Sequence, residues 1–146
     1  MTIDLTKRPP RSPRVRLGGY AILPRMLDKG RAKIAGKAGE FHYNCPLDQR
    51  MTAFAGITAD QLLKLLKAGK GDGEVLAWIQ ANGKNKRRPE EIVAWSQYEE
   101  SRSPSDPETR AFFNDVHKKM GPKRGDISTW FEWLDLDDFT TYGGKA

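Results

Sequence analysis

A chain of 146 residues with 38% hydrophobic residues, four Trp, six Phe and four Tyr is long enough to bury a core and too aromatic to remain disordered throughout. No run approaches about 18 apolar residues, so nothing is expected to span a membrane, and a single cysteine excludes an intrachain disulfide and fits a reducing cytoplasm. The net charge of +6 is uneven: residues 1–50 hold 11 Lys and Arg against 4 Asp and Glu, residues 51–104 hold 8 against 7, and residues 105–146 hold 6 against 8. An excess at the N-terminal end favours an anionic partner there, whether a small phosphorylated or carboxylated ligand, nucleic acid, or the chain's own acidic tail.

Residues 1–19 read as an extended lead-in. Pro9, Pro10 and Pro13 forbid helix, Gly18-Gly19 makes a flexible joint, and no apolar segment follows the basic residues, so no secretory signal is expected. Residues 20–146 read as a single helical domain. A first helix is expected near Leu23 with Pro24 in its first turn, burying Leu23, Met26, Leu27 and Ile34 on one face while Arg25, Asp28, Lys29 and Arg31 crowd the remaining surface; Gly36 and Gly39 mark its end. Glu40 to Asn44 alternates and reads equally as a short strand or an ordered loop.

Pro46 opens the second helix, with Leu47, Met51, Phe54 and Ala55 as its stripe and Gly56 as its stop. Thr58-Ala-Asp-Gln61 is a capping-box pattern leading into Leu62, Leu63, Leu65 and Leu66. Asp72 is placed to cap the next helix, which carries Val75, Leu76, Trp78 and Ile79. The basic loop Lys84–Arg88 precedes a helix opened by Pro89; Ser105-Asp-Pro-Glu108 opens another, and a last short helix is expected from Ser128 to Leu134. The pattern predicts an all-α fold, a compact single-domain bundle of about six to seven short helices behind an extended N-terminal lead-in, with Trp78, Trp95 and Trp130 in one core.

Two segments spend charge and glycine in an order that core packing does not require: Leu17-Gly-Gly-Tyr-Ala-Ile-Leu-Pro-Arg-Met-Leu-Asp-Lys-Gly-Arg-Ala-Lys33 and Cys45-Pro-Leu-Asp-Gln-Arg50. With Asp126-Ile-Ser-Thr-Trp-Phe-Glu-Trp-Leu-Asp-Leu-Asp-Asp138 and the closing Gly143-Gly144-Lys145-Ala146, the chain resembles the bacterial family called domain of unknown function 5069 over nearly its whole length. The resemblance implies a bacterial source and a one-domain protein. It brings no activity, cofactor or catalytic residue with it.

The residues themselves offer several chemistries. Cys45 falls at the N-cap before Pro46, where free backbone N–H groups and the helix dipole activate a thiol; the alternative is a buried cysteine acting as a small hydrophobe. His42-x-x-Cys45 with His117 lacks the paired spacing of a zinc site, and Asp135, Asp137 and Asp138 lack the spaced oxygens and glycine of a calcium loop, so no metal is expected. Gly69-Lys-Gly-Asp-Gly73 has neither the preceding strand nor the Lys-Ser/Thr of a phosphate loop. The helices near 59–68 and 73–82 are spaced like a helix-turn-helix, but Glu74, Gln80 and Asn82 make a poor reading face, which argues against sequence-specific nucleic-acid recognition.

The stronger pattern is an anion pocket formed by Tyr20, Arg25, Lys29 and Arg31 with Arg50 at the start of the second helix, since arginines bind carboxylate and phosphate bidentately and helix starts offer free N–H groups. The bland counterpart is a solvated helix face with weak ion pairs. Three readings follow. The leading one is a cytoplasmic binding module for an anionic small molecule, without a cofactor. The second is a small enzyme using Cys45 as nucleophile, or Asp28 and Asp48 as acid–base groups, in the same pocket. The third is a protein–protein interaction module docking through exposed aromatics.

Overall fold

A computed structural model describes residues 3–146. Among the described residues there are seven α-helices and no strand: α1 (Leu23–Ile34), α2 (Pro46–Ala55), α3 (Ala59–Lys67), α4 (Asp72–Asn82), α5 (Pro89–Ser101), α6 (Pro107–Met120) and α7 (Trp130–Thr141). The fold is all-α. The chain forms two compact units, residues up to 96 and residues 97–146, divided within α5.

In the first unit the lead-in is not a free extended arm. Residues 3–22 run through turns, with Leu5, Pro10 and Pro13 buried. The Leu5 N–H donates to the Lys37 carbonyl at 2.9 Å, and Leu17 pairs with Tyr20 in an isolated antiparallel bridge across Gly18-Gly19. Ile22, the N-cap of α1, has φ 74°, a conformation that costs a β-branched residue on the order of 1–3 kcal/mol. Its N–H is held by the Pro13 carbonyl at 2.9 Å and its side chain is wholly buried.

Every residue from Tyr20 to Gly30 is buried, so α1 is the central helix of this unit, packed against α2 and α3. The expected apolar face holds for Leu23, Met26 and Leu27 and fails for Ile34, which is exposed in the last turn. The polar face departs further: Arg25, Asp28 and Lys29 are buried as deeply as the leucines. Gly30 provides the close approach to α3, because a Cβ there would lie 2.6 Å from Leu66 Cδ1 and 3.0 Å from Tyr43 Cε1.

Glu40 to Asn44 is loop and turn; with no neighbouring chain to pair, its alternation has no ladder to join. α2 starts at Pro46 after Cys45 in the N-cap position and stops at Gly56, whose φ of 72° suits glycine. The Thr58 capping box forms, with Gln61 N–H donating to the Thr58 hydroxyl and Thr58 N–H to the Gln61 side chain. Asp72 does not cap α4. Gly71 takes the N-cap, with its N–H bonded to the Glu74 carboxylate, and Asp72 is the first helical residue, its carboxylate turned to arginines instead.

An aromatic group closes this unit. Phe54 stacks on Trp95 at 4.7 Å and meets Tyr20 edge-on at 6.1 Å. Ser96 ties α5 to the lead-in by accepting from the Ala21 N–H and donating to the Gly19 carbonyl.

The second unit packs α6 on α7. Asp106 caps α6 through the Thr109 N–H, and Thr129 caps α7 in a reciprocal box with Glu132. Its cluster is Phe113, Ile127 and Leu136, with Met120, Trp130 and Trp133 packed against it. The three-indole core is therefore corrected: Trp95 packs in the first unit and Trp130 in the second. The last helix is also longer than expected, running from Trp130 to Thr141 rather than ending at Leu134. Within it, Asp135 and Asp137 are half-buried and Asp138 is buried.

Candidate functional site

Two charged centres surround α1, one on each side. The first joins the lead-in to α4. Arg11 grips the buried Asp28 carboxylate with two side-chain bonds, Nε to Oδ2 at 3.0 Å and NH2 to Oδ1 at 2.9 Å, and its own N–H adds a third at 2.9 Å. The same guanidinium reaches Asp72 Oδ2 at 2.8 Å, and Arg31 takes Asp72 Oδ1 at 2.8 Å. Arg31 also donates to the Lys70 carbonyl at 3.3 Å. Burial works against the Arg11 charge, yet the two carboxylates raise its affinity for the proton above the ordinary arginine value. Burial likewise opposes ionisation of Asp72, but the hydrogen bonds from Arg11 and Arg31 outweigh it and hold that carboxyl below the usual aspartate range.

This network forms the polar wall of a cavity of about 810 Å³. Arg8, Arg11, Arg31 and Lys70 bring four cations to its lining against Asp28 and Asp72, while Ile3, Pro9, Pro10, Ile34 and Leu66 supply apolar surface. The volume is in the range of small-molecule sites. Arg8 and Lys70 are exposed, whereas the Arg31 side chain is only 18% exposed. The inner guanidiniums are thus held by the two carboxylates, and the outer cations remain wet.

The second centre links α1 to α2. The Lys29 ammonium, 3% exposed, sits 2.8 Å from Asp48 Oδ2, 3.1 Å from the His42 carbonyl and 3.2 Å from Cys45 Sγ. Asp48 Oδ2 also accepts from the Asn44 N–H at 3.0 Å, while its Oδ1 is buried with no hydrogen-bond partner. Nearby, Tyr43 donates to the Ala59 carbonyl at 2.6 Å; burial, reinforced by the charges of Asp48 and Asp60, pushes its phenol well above the ordinary tyrosine range.

The residues singled out in the sequence therefore separate. Asp28 and Arg31 belong to the cavity. Lys29, Cys45 and Asp48 form the second cluster and line no part of that cavity. Asp28 and Asp48 are accordingly not an acid–base pair in one pocket. Tyr20 is a core residue against Phe54 and Trp95, its phenol raised by burial and lowered slightly by Arg87. Arg25 is buried, donating to the Arg11 carbonyl at 3.2 Å with Phe41 5.5 Å beneath its guanidinium, and Arg50 is half-buried on α2 outside the cavity lining.

Arg8, Arg11, Lys70 and Asp72 were not part of the expected pocket. Arg11 directly follows Pro9 and the buried Pro10; nothing local marked Asp72, whose cap-like position concealed a long-range ion pair. The basic loop is used locally. Lys86 binds the last carbonyls of α4, Gln80 and Ala81, at 3.2 and 2.8 Å. Arg87 lies 4.3 Å over the Phe54 ring and donates to the Phe54 carbonyl at 3.0 Å, and Arg88 pairs with Glu90 and Glu91.

Fold and site together define a class: an all-α protein built around a buried, charge-bearing helix beside a part-apolar, cation-rich cavity. The family model for domain of unknown function 5069 matches residues 7–140, and the chain belongs to that family. No curated protein matches the chain. No helix among the described residues is long and apolar enough to cross a membrane.

Proposed function

We propose that this protein binds a small anionic molecule in the cavity between the lead-in, α1 and the turn joining α3 to α4. The observation that carries the reading is the excess of cations in a cavity of about 810 Å³, with Arg11 and Arg31 already held rigid by Asp28 and Asp72. Rigid guanidiniums lose little freedom on binding, and a fork-shaped donor suits carboxylate or phosphate. The apolar wall of Ile3, Pro9, Pro10, Ile34 and Leu66 selects a ligand with a hydrocarbon or aromatic body behind its anionic head. A bacterial, cytoplasmic setting belongs to the same reading; it is supported by the single cysteine and by the family resemblance.

The test is a thermal-shift screen with inorganic phosphate, phosphate monoesters and carboxylates that carry aryl or alkyl bodies, followed by calorimetry on the hits. A native-state ligand raises the unfolding temperature with its concentration. A charge-assisted arginine contact contributes on the order of 1.5–3 kcal/mol, so Arg8→Ala and Arg31→Ala are each expected to weaken binding about ten- to hundredfold. Equal affinity in both folded variants would remove the cavity as the site. A screen without any shift would move the reading to partner docking, for which Tyr98, Phe112 and Phe139 are the exposed aromatics.

A further inference from the structure

The Lys29 amine and the Cys45 sulfur are 3.2 Å apart, in a cluster separate from the cavity. Cysteine sulfenic acid normally resolves by meeting a second thiol or a nearby backbone nitrogen. A second thiol and a hydrogen-bearing nitrogen on the next residue are both missing within this chain. Cys45 is the sole cysteine, and the nitrogen that follows it belongs to Pro46, which carries no hydrogen. The structure places Lys29 Nζ in direct contact with the sulfur. A base is present as well: Asp48 touches the same Nζ at 2.8 Å, is wholly buried, and has in Oδ1 an oxygen with no hydrogen-bond partner. Cys45 itself is half-buried and not sealed in the core.

We infer that Lys29 and Cys45 form a reversible covalent link, a sulfenamide between Nζ and Sγ, when the protein meets a peroxide. The cysteine thiol takes one oxygen from hydrogen peroxide, giving sulfenic acid and one water, with sulfur oxidised by two electrons. Lys29 then passes a proton to Asp48, and the nitrogen lone pair attacks sulfur. The S–O bond breaks as the N–S bond forms, and the hydroxide leaves as water with the second nitrogen proton. The products are a neutral N–S link and a protonated Asp48, so the two buried charges disappear together and no unpaired ion remains inside. The link fastens α1 to the start of α2. A thiol reductant reverses it by restoring the cysteine and the amine.

The experiment is peroxide treatment of the full chain followed by intact-mass measurement and tryptic mapping. The expected product is lighter than the reduced protein by two hydrogens. It resists cleavage after Lys29, joins the peptides containing Lys29 and Cys45, and reverts with dithiothreitol. Cys45→Ser, which retains the fold's shape at a half-buried position, is expected to give no such product. Sulfinic or sulfonic acid at Cys45 with normal cleavage after Lys29 would overturn the inference. So would an intermolecular disulfide, or an unchanged mass under peroxide that oxidises free cysteine.

Discussion

Lys29→Met tests the central claim that α1 is buried with its charges and not simply exposed. The ammonium serves three acceptors at once, at 2.8, 3.1 and 3.2 Å, and both it and Asp48 are nearly inaccessible. Removing it leaves Asp48 as an uncompensated buried carboxylate and the His42 carbonyl without its donor. Breaking a buried pair from one side costs about 3–5 kcal/mol, a large part of a native stability of about 5–15 kcal/mol. At about 2–4 °C per kcal/mol for a chain of this size, the unfolding midpoint is expected to fall by roughly 10 °C. Asp48→Asn is milder, because Lys29 keeps the His42 carbonyl and the Cys45 sulfur. The combined Lys29→Met and Asp48→Asn variant recovers part of the loss, since the unpaired charge is gone. Urea unfolding of the four proteins gives the coupling energy. The exposed Lys70–Glu74 pair at 3.5 Å is the internal control, where about 0.2–1 kcal/mol is expected. A coupling for Lys29–Asp48 no larger than that control would refute the reasoning.

Two further outcomes follow from the same geometry. Gly30→Ala gains up to about 1 kcal/mol of helix propensity but places a methyl 2.6 Å from Leu66 Cδ1; overpacking costs about 1–3 kcal/mol, so urea titration is expected to show net destabilisation. Asp72→Asn tests the pH dependence of the network. Its carboxyl is held below 3.8 in the folded protein, so its stabilising contribution is complete above the unfolded value of about 3.9 and is lost as pH falls through the lower folded value. The variant is expected to be less stable at pH 7 and to lose less on acidification; parallel acid limbs for the two proteins would contradict this.

Local signals in the chain determined the helices. Pro46, Pro89 and Pro107 at helix starts, Thr58 with Gln61, and Gly56 as a stop act within one or two turns, so spacing and side-chain chemistry were enough to locate α2, α3, α5 and α6. What spacing could not reveal was which face of α1 meets water. Arg25, Asp28 and Lys29 read as a solvated face because charge is costly to bury. Only the folded chain brings Arg11 from the lead-in, Asp48 from α2 and Asp72 from α4 to meet that face. Those partners lie 17, 19 and 41 residues away from their counterparts Asp28, Lys29 and Arg31, beyond any helical period. The same reason divided the expected pocket in two. Residues adjacent on a helix, such as Asp28 and Lys29, point to different sides of it, so one joined the cavity and the other the Cys45 cluster. The sequence determined where most of the helices begin and that charge gathers near the first of them; the tertiary structure decided which charges are buried, because their pairing depends on contacts between segments far apart along the chain.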